Sequence, residues 1–415
     1  MADLTTCLPL NRASVVEAHK LVKPHVHYTP VLTNKTLTTL ASTPRSPEDL
    51  KGTRWEGRTP AKPTLRLWFK CENLQRIGAF KVRGAFHAVE RLKQEPGWIE
   101  NGGMEKGVVT HSSGETQSTP HIPALIFESL MCRNENARNH AQALALAAKE
   151  AGIPAHIVMP DISPANKIAG TRGYGANVIF SGSTSVEREA VADRVIAETG
   201  ARLVPPYDHP DIMLGQGTLG LELQEQVRDL IAAGHSAQNP TFNSTGQPSS
   251  ASEGKGLDAI MTPCGGGGML SGVALSCEGT GIRVFGAEPE FQGADDCKRG
   301  FEAGKRVESV KTLTIADGLR TPVGKFPWGV IYERRLVENM FSVSEEEIKA
   351  AVKLVFERFK LVVEPSGAVP LAVALFNEDF RSMVEKEAGE KGWDLGLVFS
   401  GGNMAMEGLM KIFAS

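Results

Sequence analysis

Short apolar runs alternate with apolar faces of helical period along most of this chain. The run "GVVTHSS" (107–113) is rich in strand formers, "NHAQALALAAKEAG" (139–152) is an alanine-rich helix stopped by Gly152, and "AHIVMP" (155–160) returns to strand. Ser163-Pro164 opens another helix before the strand "ANVIF" (176–180). The rhythm resumes with the strands "LDAIMTP" (257–263) and "RVFGAEP" (283–289). A long helix is predicted from Glu345, where Ser344 and Glu347 form a capping box. A last strand, "LGLVFS" (395–400), turns through Gly401-Gly402 into a final helix. Short strands separated by helices predict parallel βαβ units, hence an α/β fold of parallel-rich twisted sheets flanked by helices. Three segments break the pattern. Residues 42–64 (Pro, Arg, Lys) and 234–255 (Ser, Asn, Gly) read as surface loops, and the third runs from Glu115 to Arg138.

Length and charge narrow the classes. With 415 residues the chain can bury a large core, in two lobes rather than one. A net charge of −3 gives no reason to expect nucleic acid or an anionic membrane as partner. No run approaches the ~18 apolar residues of a membrane span. The cysteines, Cys7, Cys71, Cys132, Cys264, Cys277 and Cys297, lack the spacing of zinc or redox motifs. Without a leader-like N-terminus they read as reduced thiols of a cytoplasmic protein.

Candidate chemistry clusters at a few junctions. In "GAFKVRGAFHAVERLK" (78–93), read as a helix from Phe80, Lys81 shares a face with Ala85, Ala88 and Leu92, while Arg83, His87, Glu90 and Arg91 share the other. A lysine on an apolar face either snorkels to the surface or, when desolvated, becomes a neutral nucleophilic amine. The glycine run of "TPCGGGGMLSG" (262–272) lies between a strand and a helix, where bare backbone amides can converge on an anion. It is neither a Walker loop nor a dinucleotide fingerprint. "FSGGNM" (399–404) presents Ser400 at a strand's C-terminal end, where α/β folds bind ligands, and "HSSG" (111–114) ends another strand with two hydroxyls. Taken singly, each also fits an ordinary turn or helix cap.

Taken together and in order, these pieces resemble the fold-type II pyridoxal 5′-phosphate (PLP) enzymes, specifically the serine/threonine dehydratase and serine racemase family. "KCENLQRIGAFKVRGA" (70–85) is similar to its lysine motif, "HSSG" with "NHAQALA" to its substrate loop, and "PCGGGGMLSG" to its phosphate loop. "TIADGL" (314–319), "VEPSGA" (363–368) and "SGGN" (400–403) are similar to its later motifs. The resemblance implies a tryptophan synthase β-like fold with the cofactor in an interdomain cleft. A small domain at 108–210 would be inserted into a large PLP-binding domain made of 1–107 and 211–415. By position, Lys81 would form the imine with PLP, Phe80 would pack beside the ring, and Gly265, Gly266, Gly267, Gly268 and Met269 would bind the phosphate. Ser400 would bond the pyridine nitrogen. Ser112, Ser113, Asn139 and His140 would hold the substrate carboxylate and the cofactor ring, Ser113 serving as acid/base opposite Lys81. Glu288, the Ala294 carbonyl and Asp296 resemble the family's oxygen ligands for Mg²⁺ or Ca²⁺. Their loop is about two residues longer than the family pattern. A homodimer is also implied.

The implied reaction is removal of water and ammonia from L-serine, L-threonine or threo-3-hydroxyaspartate. Serine racemase is the alternative, and a β-replacement enzyme fits less well, because Asn139-His140 stands where that branch resembles Asn-Thr-Gly. Ala79 replaces the family's usual serine. The larger departure is 115–138: deleting it restores "SSGNHAQALA", which reads as a retained intron or gene-model error. If the segment is present, it falls inside a loop whose geometry matters to ångström tolerance, and a PLP-binding protein with impaired catalysis is a third reading. The short stretch after "SGGN" leaves no room for a C-terminal regulatory domain, so feedback by isoleucine is not expected.

Overall fold

The computed structural model describes residues 4–111, 135–161, 163, 165–182, 185–236 and 256–413. Two sheets organise it. The larger is 6-stranded, in the order β1-β2-β10-β7-β8-β9. It comprises β1 (Val31–Leu32), β2 (Leu65–Cys71), β7 (Ala259–Pro263), β8 (Arg283–Pro289), β9 (Asn339–Val343) and β10 (Trp393–Phe399). Only β1 runs antiparallel. The smaller sheet is 4-stranded and wholly parallel, in the order β5-β4-β3-β6, from β3 (Val108–His111), β4 (Ala155–Pro160), β5 (Asn177–Ser181) and β6 (Arg202–Leu203).

The strands of the large sheet are apolar at nearly every position because both faces are covered. Leu65, Leu67 and Phe69 of β2 point into one core with the helix Pro365–Phe376. Trp68 points into the other, with the helices Pro210–Ala232 and Gly268–Cys277. The small sheet packs one face on the helix Glu135–Ala151, whose alanines let it approach the helix Val82–Gln94 closely. Its other face is closed by Ala192 and Val195 of the helix Ser185–Thr199. The helix Val82–Gln94 thus joins the two sheets.

Most predicted elements stand where the pattern put them. β4 and β8 match residue for residue, and the Ser344–Glu347 capping box is formed in full. Gly152 ends its helix at φ 70°. Residues 42–64 are largely exposed, but they contain the capped helix Pro47–Leu50 and are anchored by buried Leu50, Trp55 and Ala61. Most of 234–255, and the strand end at Ser112 and Ser113, lie outside the described residues. The polar face of the lysine-bearing helix is not a solvent face, since Arg83 and His87 are both fully buried. Arg83 reaches Glu72 and Glu222, and His87 Nδ1 lies 2.6 Å from the Asp211 carbonyl oxygen. Among the described residues no helix is long and apolar enough to cross a membrane.

Candidate functional site

The carboxyl ends of β2, β7 and β10 open onto one cleft. Parallel strands deliver their following loops to the same edge of the sheet, so residues from three parts of the chain meet there. Phe80, Lys81, Gly265, Gly266, Gly267, Gly268, Met269 and Ser400 all line it.

Lys81 sits immediately before the first turn of the helix Val82–Gln94. The two residues before it are pinned to the segment that follows β10. Phe80 N donates to Ser400 O at 3.1 Å, and Ala79 forms a β-bridge with Gly401. The side chain is only 4% exposed, and its Nζ donates to the Pro206 carbonyl at 3.1 Å. It does not snorkel. Burial lowers its pKa from 10.5 to about 8, against the opposing pull of Glu364.

The glycine loop is shaped by close approach rather than by looseness. A Cβ on Gly266 would lie 2.4 Å from ring carbons of Tyr207, and Gly267 has φ +82° as it starts the helix Gly268–Cys277. The loop is braced by Gly324 N, which donates to Gly266 O at 3.1 Å. A buried cradle that side chains would fill, at the N-terminus of a helix and beside a desolvated amine, fits an aldehyde carrying a phosphate.

Asn139 and His140 stand behind this cleft. Asn139 Nδ2 donates to Glu364 Oε1 at 3.3 Å, and its Oδ1 accepts from Asn403 Nδ2 at 2.7 Å. His140 Nε2 lies 3.1 Å from the Val204 carbonyl oxygen, an N–H donor in that pairing. Its Nδ1 has no partner among the described residues. Burial and nearby Lys81 push His140 down to about 3, so the ring is neutral near pH 7. Three residues went unnamed in the sequence reading. Glu364, buried at the start of the helix Pro365–Phe376, lines the cleft, reaches Asn139 and accepts from Asn403 N at 3.3 Å. Tyr207 and Gln216 also line the cleft, and Gln216 Nε2 is unpartnered among the described residues. The motif "VEPSGA" carried the signal for Glu364, whereas no local motif marks the other two.

The expected cation ligands lie apart from the cleft, behind the glycine loop. Glu288, Ala294 and Asp296 are all buried. The longer loop is absorbed by a tight turn, Phe291–Gly293, with Gln292 at φ 53° and Gly293 at φ 77°. Glu288 accepts from the amides of Cys297 (3.0 Å) and Lys298 (2.8 Å), and Asp296 Oδ2 accepts from Val323 N at 3.0 Å. Asp296 Oδ1 has no partner among the described residues. Burial raises both carboxyls, Asp296 to about 7, and proximity to Asp296 adds to the rise of Glu288. An orphaned oxygen beside a second desolvated carboxyl fits a cation.

Known proteins resemble this chain over nearly its whole length. A serine racemase of Arabidopsis thaliana is 38% identical over 404 residues, covering 97% of this chain and 96% of the relative. An L-threo-3-hydroxyaspartate ammonia-lyase of Saccharomyces cerevisiae is 35% identical, covering 95% of this chain and 93% of the relative. The solved structure of maize serine racemase superposes with a TM-score of 0.71 at 34% identity, covering 97% and 96% of the two chains. These matches also establish the expected fold-type II architecture. The family of pyridoxal-phosphate dependent enzymes matches residues 53–116 and 137–388, skipping most of the inserted segment. The chain belongs to the pyridoxal-phosphate dependent enzyme family, and pyridoxal phosphate is its cofactor.

Proposed function

We propose that this enzyme converts a small hydroxy amino acid, such as L-serine, L-threonine or threo-3-hydroxyaspartate, to a 2-oxo acid and ammonia. One observation carries the reading: the amine of Lys81 and the hydroxyl-bearing Ser400 line one buried cleft with the glycine cradle. When bound, the cofactor supplies an electron sink for a carbanion at the substrate α-carbon. Lys81 would be the residue that holds it covalently, and its Nζ, when free, would take the α-proton. Gly265 to Gly268 and Met269 would hold the phosphate through backbone amides, and Phe80 would pack beside the ring. Ser400 would offer the ring nitrogen a neutral hydroxyl, which cannot hold a positive charge there as a carboxylate would. The β-hydroxyl of the substrate would leave as water on taking up a proton. Neutral His140, with Asn139, Ser112 and Ser113, positions the substrate carboxylate.

Racemisation of serine is the second reading, supported by relatives named serine racemase. It needs Ser113 as the opposed acid/base. A cation at Glu288, the Ala294 carbonyl and Asp296, a large unit of 1–107 and 211–415 around a small one of 108–210, a homodimer and a cytoplasmic location complete the proposal. Segment 115–138 is proposed to be absent from the mature protein, consistent with the family match that resumes at residue 137. Transcript reads crossing both of its ends would refute that. If it is retained, impaired catalysis follows. The central test incubates the purified protein with each hydroxy amino acid and measures 2-oxo acid, ammonia and D-serine. Oxo acid with stoichiometric ammonia is expected. D-serine alone selects the racemase, and no product from any of them defeats both readings.

A further inference from the structure

Behind the cradle lies a set of side chains that the cleft does not use. Cys264 ends the stretch leading from β7 into Gly265, Glu288 lies in β8, and Cys297 lies in the first turn of the helix Asp296–Ala303. All three are buried, and their sulphur and carboxylate atoms lie within 4.8 Å of one another. The backbone fixes them there. Cys264 N donates to Ala287 O at 2.9 Å, and the amide of Cys297 donates to Glu288 at 3.0 Å. The two sulphurs face each other within 4.8 Å. Next to Cys297, Asp296 keeps the oxygen that has no partner among the described residues.

We infer that Cys264, Glu288 and Cys297 supply three ligands of a site for a thiophilic divalent cation such as Zn²⁺ or Cd²⁺, with a solvent oxygen as the fourth. The inference rests on the cation site proposed above and changes its ligand set. Mg²⁺ and Ca²⁺ take oxygen donors, whereas zinc takes thiolate sulphur at about 2.3 Å and carboxylate oxygen at about 2.0–2.2 Å, preferring four tetrahedral ligands. Such donors stand roughly 3.5–3.8 Å apart, so atoms within 4.8 Å of one another need to draw in by about 1.3 Å at most. Binding releases the two thiol protons to solvent and forms two metal–sulphur bonds, with no change of oxidation state. The site also braces the cradle. Asp296 holds the amide of Val323, and the next residue, Gly324, donates to Gly266 O.

The test strips the holoenzyme with a chelator, dialyses it against cadmium-113 chloride, and records bound metal and the cadmium-113 NMR shift. Expected is one equivalent of cadmium with a resonance in the far-downfield, thiolate-ligated range. It should be displaced by Zn²⁺ but not by excess Mg²⁺, and lost in Cys264→Ser and Cys297→Ser. Cys7→Ser, at the separate grouping of Cys7, His209 and Asp211, should keep it. A shift in the all-oxygen range, or a downfield signal that survives both variants, overturns the thiol ligands and leaves the cation site standing. No bound cadmium overturns both. The wild-type shift decides by itself whether thiolates ligate, so a variant that fails to fold does not protect the idea.

Discussion

Two buried lysines flank the turn that leads into the cleft, and they have opposite surroundings. Lys70, in β2, spends all three N–H donors: on Thr29 O (2.8 Å), Glu222 Oε2 (2.7 Å) and Gln226 Oε1 (2.9 Å). It belongs to a neutral set, since Arg83 bonds Glu72 and Glu222 in the same layer. Burial, the largest influence, lowers Lys70, and Glu72 and Glu222 push back. Burial would raise Glu222, but Arg83, His19 and Lys70 hold it below its ordinary value. Lys81 has the Pro206 carbonyl as its one hydrogen-bond acceptor among the described residues, and Glu364 as its opposing charge. An amine with every donor matched is architecture. One that is desolvated and under-matched beside an anion cradle is chemistry.

The largest test of that contrast replaces each amine. Lys81→Ala should abolish the borohydride-fixable cofactor absorbance and lower turnover on the order of 10³-fold or more, with the cooperative unfolding transition retained. Lys70→Met should do the reverse. Leaving the buried carboxylates short of one cation should cost about 3–5 kcal/mol, read as a lower denaturant midpoint, with turnover per folded molecule within a few-fold of wild type. If Lys70→Met removed covalent cofactor attachment as well, the division between the two lysines would fail.

The same contrast marks what the sequence could and could not disclose. Hydrophobic period and turn chemistry are local, so β4, β8, the capping box at Ser344 and the glycine junction at 265–268 were legible. Lys81 stood out as a charged residue on an apolar face, but only the resemblance of the surrounding motifs gave it a role. Arg83 and His87 were read as the polar face because period reports intrinsic polarity and knows nothing of partners. What buries them is Glu72, Glu222 and the Asp211 carbonyl, brought in by β2 and the helix Pro210–Ala232. Glu364 was passed over for a similar reason. An acidic residue before Pro365 looks like an ordinary helix start, and its place in the cleft depends on Asn139 and Asn403, far away in sequence.

A smaller effect sharpens the picture of the cradle. In Gly266→Ala the new methyl would meet the Tyr207 ring at 2.4 Å, so ring or loop must move. Overpacking of this kind costs about 1–3 kcal/mol, which predicts cofactor affinity lower by roughly 5- to 150-fold in an equilibrium titration. Gly266→Ala combined with Tyr207→Ala should regain part of that loss if the clash is the cause. A double variant as weak as the sum of the singles would mean that the glycine is needed for another reason.

The mildest prediction concerns protons. In the cofactor-free protein only the neutral amine of Lys81 can attack an aldehyde. A folded pKa of about 8 instead of 10.5 leaves about a tenth of the amine neutral at pH 7, against roughly 1 in 3,000 for an ordinary lysine. The rate of cofactor attachment, followed by absorbance after mixing, should therefore rise about tenfold per unit up to pH 8 and flatten above it. Glu364→Gln removes the charge that opposes burial, so its plateau should begin at lower pH. The sign also runs through stability. Between pH 8 and 10.5 the unfolded chain binds a proton at this lysine that the folded one does not, so its contribution to stability rises with pH across that window. In Lys81→Met that contribution should vanish. An uptake rate still climbing steeply beyond pH 10 would mean that the Lys81 amine is open to solvent, and the comparison with Lys70 would lose its basis.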